Sequence, residues 1–133
     1  MKKVFLVSLV LTFLASCTGS SEIIPDDTSG NINGVWMLKA EYDDNNRQGL
    51  SDCRLLESIA FEGNSVIITK ADEKADSKCN LTTAEGTFSK TGTSLQLNMG
   101  NGNVQYKIKE LTKTKLYIFS SNSPKSFVYE RSE

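Results

Sequence analysis

The chain has 133 residues, of which 38% are apolar and 23% are charged, and its formal net charge is −1. This length is typical of a single domain, and the mildly acidic composition offers no basic surface for nucleic acid. The sequence contains no histidine, which removes the commonest metal ligand and the commonest general base near neutral pH. We therefore predict a protein that is not an enzyme, carries no cofactor and binds no nucleic acid.

Residues 1–16 are predicted to be a bacterial lipoprotein signal peptide. Two lysines follow Met1, and residues 4–14 form an apolar run without a charge. Such a run is too short for a permanent span, which needs about 20 residues, but it suits the core of a signal peptide. Leu14-Ala-Ser-Cys17 then resembles a lipobox. The resemblance implies that Cys17 is lipidated, as by palmitate, and becomes the mature N-terminus, whereas an ordinary secretory peptide is the alternative.

Residues 17–31 are predicted to be a lipidated, flexible tether. They lack hydrophobic periodicity and are rich in Ser, Gly and Asp, a composition typical of linkers. No Asp directly follows Cys17, so nothing there resembles a signal for retention in the inner membrane. We expect a lipid anchor in the bacterial cell envelope, at the outer membrane, with the domain facing either the periplasm or the cell exterior.

Cys53 and Cys79 remain once Cys17 is assigned to lipid. An even pair in an oxidising compartment favours a disulfide, which would close a loop of about 26 residues and stabilise the fold by roughly 3–4 kcal/mol. A metal site is the alternative, but it would need further soft or imidazole ligands. We predict the disulfide and no metal.

From Gly34 onward, apolar and polar residues alternate with period two between turn residues, which is the pattern of short β-strands. Gly100-Asn-Gly-Asn103 indicates a tight hairpin because Gly and Asn tolerate positive φ. Residues 71–78 include helix-forming residues but no apolar face, and we predict a charged loop there. Eight strands are predicted, at residues 34–42, 55–62, 65–70, 83–90, 93–99, 103–111, 115–120 and 126–131.

Eight sequential strands with short turns indicate an all-β domain over residues 32–133. A small antiparallel up-and-down barrel is favoured because closure removes exposed sheet edges, and a two-sheet sandwich is the alternative. A barrel of this size holds its own side chains or one small ligand. A filled interior is favoured over a deep cup because several aromatic residues are predicted to point inward: Trp36, Tyr42, Phe61, Phe88, Tyr106 and Tyr129.

Short motifs in this region resemble the lipocalin-like domains of Bacteroidetes-type lipoproteins. Gly34-Val-Trp36 is similar to the lipocalin G-x-W motif, and Arg131 follows the last strand where that family carries an arginine. The order of Cys53, Cys79 and Glu85-Gly-Thr-Phe88 is also similar. The resemblance covers residues 31–131 and implies that Trp36 closes one end of the barrel, with the Arg131 guanidinium over its ring.

Motifs for catalysis or cation binding are not found in the sequence. No histidine is present to activate a Ser or Cys nucleophile, and no phosphate-binding glycine loop occurs. Asp43-Asp-Asn-Asn46 is acidic, but Leu55 stands where an EF-hand requires Glu. We therefore predict that residues 43–46 form a solvated loop.

Two functions are left open by the sequence. The first is a binding module that holds a small apolar or amphipathic ligand at the barrel mouth, with Tyr42, Met99 and Tyr106 as candidate ligand-binding residues. The second is a structural or interaction lipoprotein whose loops engage an envelope protein partner. A cavity of several hundred Å³ would favour binding, whereas a filled interior with an exposed apolar loop patch would favour interaction.

Overall fold

A computed structural model describes residues 27–76 and 78–132, so the predicted signal peptide and Cys17 lie outside the described residues. Within this range one 3₁₀ turn is present (Arg54–Leu56), and no helix has the length and hydropathy to cross a bilayer. The strands are β1 (Gly34–Asp43), β2 (Asn46–Gln48), β3 (Ser58–Glu62), β4 (Ser65–Glu73), β5 (Cys79–Thr91), β6 (Ser94–Asn98), β7 (Asn103–Leu111), β8 (Lys115–Ser120) and β9 (Lys125–Arg131).

Eight of these strands close into one antiparallel barrel. From β3 to β9 each strand pairs with the next, while β1 pairs with both β3 and β9. The short β2 pairs with β1 alone. The predicted up-and-down barrel is therefore confirmed, and the sandwich alternative is excluded.

Two segments differ from the predicted elements. The predicted solvated loop at residues 43–46 is a tight turn between β1 and β2, in which Asp44 and Asn45 have φ of 51° and 65°. Asn and Asp tolerate this region, and two successive positive φ values suit a two-residue hairpin. The predicted charged loop at residues 71–78 is partly strand, because β4 continues to Glu73.

A bulge in β1 reverses the order of inward and outward side chains. Leu38 pairs with Tyr129 and Ala40 pairs with Val128, so Lys39 is an extra residue. One extra residue moves the following side chains to opposite faces. Glu41 is consequently buried, with 8% of its surface exposed. Tyr42, which was predicted to point inward, lies instead on the outer face.

The interior around Trp36 is filled by the protein's own side chains. The largest fully buried residues come from β1, β3, β4, β6, β7 and β8, and burying each aliphatic one contributes about 1.5–3 kcal/mol. They are Trp36, Phe61, Leu38, Leu95, Leu97, Ile108, Leu111, Leu116, Ile118 and Val66. This half of the barrel is therefore a packed core, as the aromatic content predicted.

The end of the barrel beside Trp36 is closed by the segment before β1 and by Arg131. The Trp36 indole nitrogen donates to the Ile32 carbonyl oxygen over 2.7 Å, and the Arg131 guanidinium carbon lies 4.3 Å from the Trp36 ring centroid. Gly34 has φ of 132°, and a Cβ there would overlap the guanidinium. The guanidinium also donates to three main-chain carbonyl oxygens, those of Asn31, Asn33 and Lys113.

The β4–β5 hairpin extends beyond the closed part of the barrel. Only Thr87–Thr91 of β5 pair with β6, so residues 79–86 pair with β4 alone. Every residue from Cys79 to Glu85 is exposed. Closure therefore does not remove every edge, contrary to the expectation for an ideal barrel.

Cys53 and Cys79 form a disulfide, with their Cα atoms 5.3 Å apart. The bond joins the 3₁₀ turn to the first residue of β5. The predicted pairing is confirmed.

Candidate functional site at the barrel mouth

We use the term barrel mouth for the end of the barrel opposite the closed end. It is formed by the chain between β1 and β3 and by the β4–β5, β6–β7 and β8–β9 connections. Several apolar side chains near this end pack against the core while staying partly exposed: Leu50, Met99, Tyr106 and Phe127. The mouth therefore presents apolar surface above a core that is already filled.

A row of aromatic rings leads from the barrel mouth into the core. Tyr106 packs edge to face against Phe127 with ring centroids 6.4 Å apart, and Phe127 lies 6.4 Å from Tyr129. Burial raises the pKa of Tyr106. Burial also raises the pKa of Tyr129 far above its ordinary value, with a further contribution from Tyr106. Both phenols therefore stay neutral at physiological pH and can act there as uncharged hydrogen-bonding groups.

An ionic cluster lies on one side of the barrel mouth, beneath the 3₁₀ turn. Arg54 Nη1 lies 3.3 Å from Glu41 Oε2, and Arg54 Nε lies 3.0 Å from Glu57 Oε2. Glu57 also accepts a hydrogen bond from the Ala71 main-chain nitrogen. Glu41 and Glu57 are 8% and 6% exposed. Carboxylates buried to this degree need charged or hydrogen-bonding partners, and the cluster supplies them.

Glu41 and Glu57 stabilise the charged form of Arg54. Burial opposes the charge, but hydrogen bonds and Coulombic attraction from Glu41 and Glu57 outweigh that effect and raise the Arg54 pKa. The mouth therefore combines a fixed polar cluster with an apolar surface. This arrangement suits a molecule that has one polar end and one apolar end.

The structure separates the three residues that were predicted to bind ligand. Met99 and Tyr106 lie at the barrel mouth, and Tyr106 also borders a recess of about 320 Å³ beside β6, β7 and Ser121. Tyr42 lies on the outer face, where its ring centroid is 6.4 Å from that of Tyr117. A ligand role for Met99 and Tyr106 stays a prediction.

Sequence reasoning missed the ionic cluster altogether. Strict alternation from Trp36 would put Glu41 on the outer face. The bulge at Lys39 is a property of how β1 pairs with β9, and nothing in the spacing of β1 itself signals it. Glu57 lies within the strand predicted at residues 55–62 and Arg54 directly precedes it, whereas in the structure the 3₁₀ turn extends to Leu56 and β3 begins at Ser58.

Groups suited to metal binding are not found in the part of the chain that the structure describes. No set of three or more Cys, Asp or Glu side chains there converges closely enough to hold an ion. The carboxylates of the mouth are instead paired with Arg54.

Comparison with known proteins places this barrel in a family. A family model described as a lipocalin-like domain matches residues 32–118. A crystal structure of a lipocalin-like protein from Bacteroides uniformis ATCC 8492 superposes with a TM-score of 0.61 at 14% identity, covering 77% of this chain and 100% of that one. A crystal structure of an uncharacterized protein from Bacteroides eggerthii DSM 20697 gives 0.60 at 11% identity, with the same coverage.

No curated protein matches the sequence. The two structural likenesses are at low identity, so they show the fold alone. The family match extends from the closed end of the barrel into β8, and it includes the Gly34-Val-Trp36 motif. The chain therefore belongs to the family of proteins with a lipocalin-like domain.

Proposed function

We propose that this protein is a lipid-anchored lipoprotein of the bacterial cell envelope that binds a small amphipathic molecule at its barrel mouth. The observation that carries the proposal is the change of packing along the barrel. Side chains around Trp36 are fully buried, whereas Leu50, Met99, Tyr106 and Phe127 are only partly buried. Partly exposed apolar surface is the kind of surface that a ligand covers when it binds.

The filled core limits the size of the proposed ligand. Leu95 and Ile118, which pair across the sheet with Tyr106 and Phe127, are 1% and 0% exposed. A ligand can therefore rest on the mouth residues but cannot enter the half of the barrel around Trp36. The site suits a short acyl chain or a single ring system rather than a long lipid.

The ionic cluster supports an amphipathic ligand over a purely apolar one. Glu41, Arg54 and Glu57 already satisfy one another, so a ligand need not neutralise a bare charge. The carboxylate oxygens can still accept a hydrogen bond from a polar head group, and the guanidinium N–H groups can still donate one to it. The ligand would lie with its apolar part on Tyr106 and Phe127.

Binding at the mouth is tested by native mass spectrometry of the protein purified from its own envelope. We expect a bound small molecule in the wild type and its loss in Met99→Trp, because the larger ring would fill the mouth. The matched control is Met37→Trp, which changes a partly exposed methionine of β1. A bare wild-type protein, or equal occupancy in all three proteins, would contradict binding at the mouth.

The anchor is proposed from the sequence of the first 17 residues, and the envelope location follows from it. Intact mass analysis should show acyl chains on Cys17 and no signal peptide. Cys17→Ser should abolish acylation and move the protein out of the outer-membrane fraction, because acyl chains supply roughly 0.8 kcal/mol of membrane affinity per buried methylene. Finding Cys17→Ser still in that fraction would refute the lipid anchor.

The alternative, an interaction lipoprotein that engages an envelope protein partner, is favoured by one observation. Leu55 and Leu56 of the 3₁₀ turn are 38% and 45% exposed, and Leu81 of β5 is 50% exposed. The disulfide holds these two elements together. Crosslinking in intact cells from position 56 or 81 that captures one specific envelope protein, with no small molecule in the native spectrum, would support this alternative.

A further inference from the structure

The outer face of the barrel carries a second recess, which we call the outer groove. It has a volume of about 550 Å³ and lies across the outer face of β1, β9 and β8. Its lining residues are Lys39, Ala40, Tyr42, Arg47, Thr114, Lys115, Tyr117, Val128 and Glu130. The volume is in the range of sites that hold small organic molecules.

The floor of the outer groove is low because two smaller side chains, Ala40 and Val128, lie beside two tyrosines. Ala40 pairs with Val128, and Val128 pairs with Tyr117, so these three residues form one row across the sheet. In the next row Tyr42 pairs with Ser126. The Tyr42 and Tyr117 rings are 6.4 Å apart and inclined at 39°. They form a wall of aromatic surface above the aliphatic floor.

Two local irregularities build the outer groove. The bulge at Lys39 moves Tyr42 onto the outer face. The tight turn at Asp44 and Asn45 then returns the chain as β2, where Arg47 pairs with Tyr42. Residues directly opposite on paired strands project from the same face. The hairpin therefore brings a guanidinium to the edge of the aromatic wall.

The charge of the outer groove is positive although the chain as a whole carries −1. Lys39, Arg47 and Lys115 line it, against the carboxylate of Glu130 in the lining and that of Glu110, which lies 3.0 Å from Lys115 Nζ. Lys39 lies 3.8 Å from Glu130, but the two side chains are 49% and 62% exposed, so this pair contributes little. Among the described residues Arg47 makes no ion pair. The planar guanidinium of Arg47 can donate two parallel hydrogen bonds to a carboxylate.

We propose that the outer groove binds a small aromatic carboxylate. The ring of the ligand would lie on Ala40 and Val128 against the Tyr42 and Tyr117 rings, where a flat apolar face is complementary to aromatic and aliphatic surface. The carboxylate would face Arg47, because the other two cations of the lining, Lys39 and Lys115, are each paired with a carboxylate. This site is separate from the barrel mouth and does not depend on the function proposed for it.

The test uses the mature lipidated protein in lipid nanodiscs, with empty nanodiscs as the blank. Saturation-transfer NMR measures binding of benzoate, of benzamide, which has the same shape without the charge, and of galacturonate, whose ring is saturated. We expect benzoate to bind most tightly. Arg47→Gln should weaken benzoate binding about tenfold, the value of one good charge-assisted pair, and leave benzamide unchanged.

The matched control is Lys90→Gln, which removes one exposed charge from β5, outside the groove. We expect this variant to bind benzoate within about twofold of the wild type. A second variant, Tyr117→Leu, should weaken benzoate and benzamide alike because it removes the shared aromatic contact. Absence of benzoate binding, equal binding of benzoate and benzamide, tighter binding of galacturonate, or equal effects of Arg47→Gln and Lys90→Gln would overturn the proposal.

Discussion

Gly34 is the residue on which the geometry of the closed end depends. Its φ of 132° lies in a region that other residues rarely adopt, and the space beside its Cα is occupied by the Arg131 guanidinium. That guanidinium in turn faces the Trp36 ring and donates to main-chain carbonyl oxygens before β1. A side chain at position 34 would therefore disturb the cation–π contact and the hydrogen bonds together.

Gly34→Ala is expected to lower the free energy of unfolding by about 2–3 kcal/mol, because the backbone conformation becomes strained and Arg131 must move. Urea unfolding measures the loss. Gly49→Ala serves as the control, since a Cβ there meets no atom within 4 Å, and its effect should stay within about 0.5 kcal/mol. Equal midpoints for the two variants would show that Gly34 does not have this role.

At the level of elements, the 3₁₀ turn is held over the barrel mouth by two different bonds. The disulfide joins Cys53 to β5. Arg54, the next residue, pairs with Glu41 of β1 and with Glu57. A three-residue turn has little stability of its own, so its position depends on these links.

Removing the disulfide with Cys53→Ser and Cys79→Ser together is expected to cost about 3–4 kcal/mol, because the cross-link spans 26 residues and restricts the unfolded chain. Chemical denaturation of the double variant measures the change. Wild-type protein kept in reductant should unfold at the same midpoint as the double variant. If oxidised and reduced wild type are equally stable, the disulfide does not stabilise the barrel.

Arg54→Met is expected to destabilise the protein by about 3 kcal/mol, because Glu41 would stay buried without its cation and Glu57 would keep only Lys70, whose Nζ lies 3.8 Å away. The value is at the low end for a buried pair since 32% of the Arg54 side chain is exposed. Arg47→Met removes an exposed arginine from β2 and should change stability by less than about 0.5 kcal/mol. Thermal unfolding that shows the same loss in both variants would contradict a stabilising role for the cluster.

At the scale of the whole molecule, Tyr129 links the stability of the barrel to alkaline pH. Burial raises its pKa above the ordinary value, which is about 10. Below pH 10 the phenol is protonated in both folded and unfolded chains. Above pH 10 the unfolded chain releases the proton while the folded chain keeps it, so the unfolded state gains stability as pH rises.

We therefore expect the free energy of unfolding to fall by up to about 1.4 kcal/mol per pH unit above pH 10 through Tyr129. Tyr129→Phe should reduce this slope, measured by urea unfolding from pH 8 upward. A Tyr129→Phe slope equal to that of the wild type would contradict the linkage.

Most of the fold could be predicted from the sequence, because alternation, turn residues and cysteine count report local preferences directly. The barrel and the disulfide are confirmed. The site was harder to predict, because Glu41 and Tyr42 exchange faces at a bulge that depends on pairing with β9. The alternation of apolar and polar residues in a sequence does not show where a strand contains an extra residue. The Asp44-Asn45 turn, in contrast, carried a recognisable hairpin signal that was interpreted as a loop.

The pairing of β1 with β9 has a consequence for when the chain can fold. The Arg131 guanidinium donates a hydrogen bond to the carbonyl oxygen of Asn33, 98 residues earlier, and the Trp36 ring lacks its cation–π partner until Arg131 is in place. Contacts between such distant residues form late because the chain between them must first be ordered. The barrel therefore cannot close before β9 has been synthesised. β9, which is synthesised last, is needed before β1 can become stable.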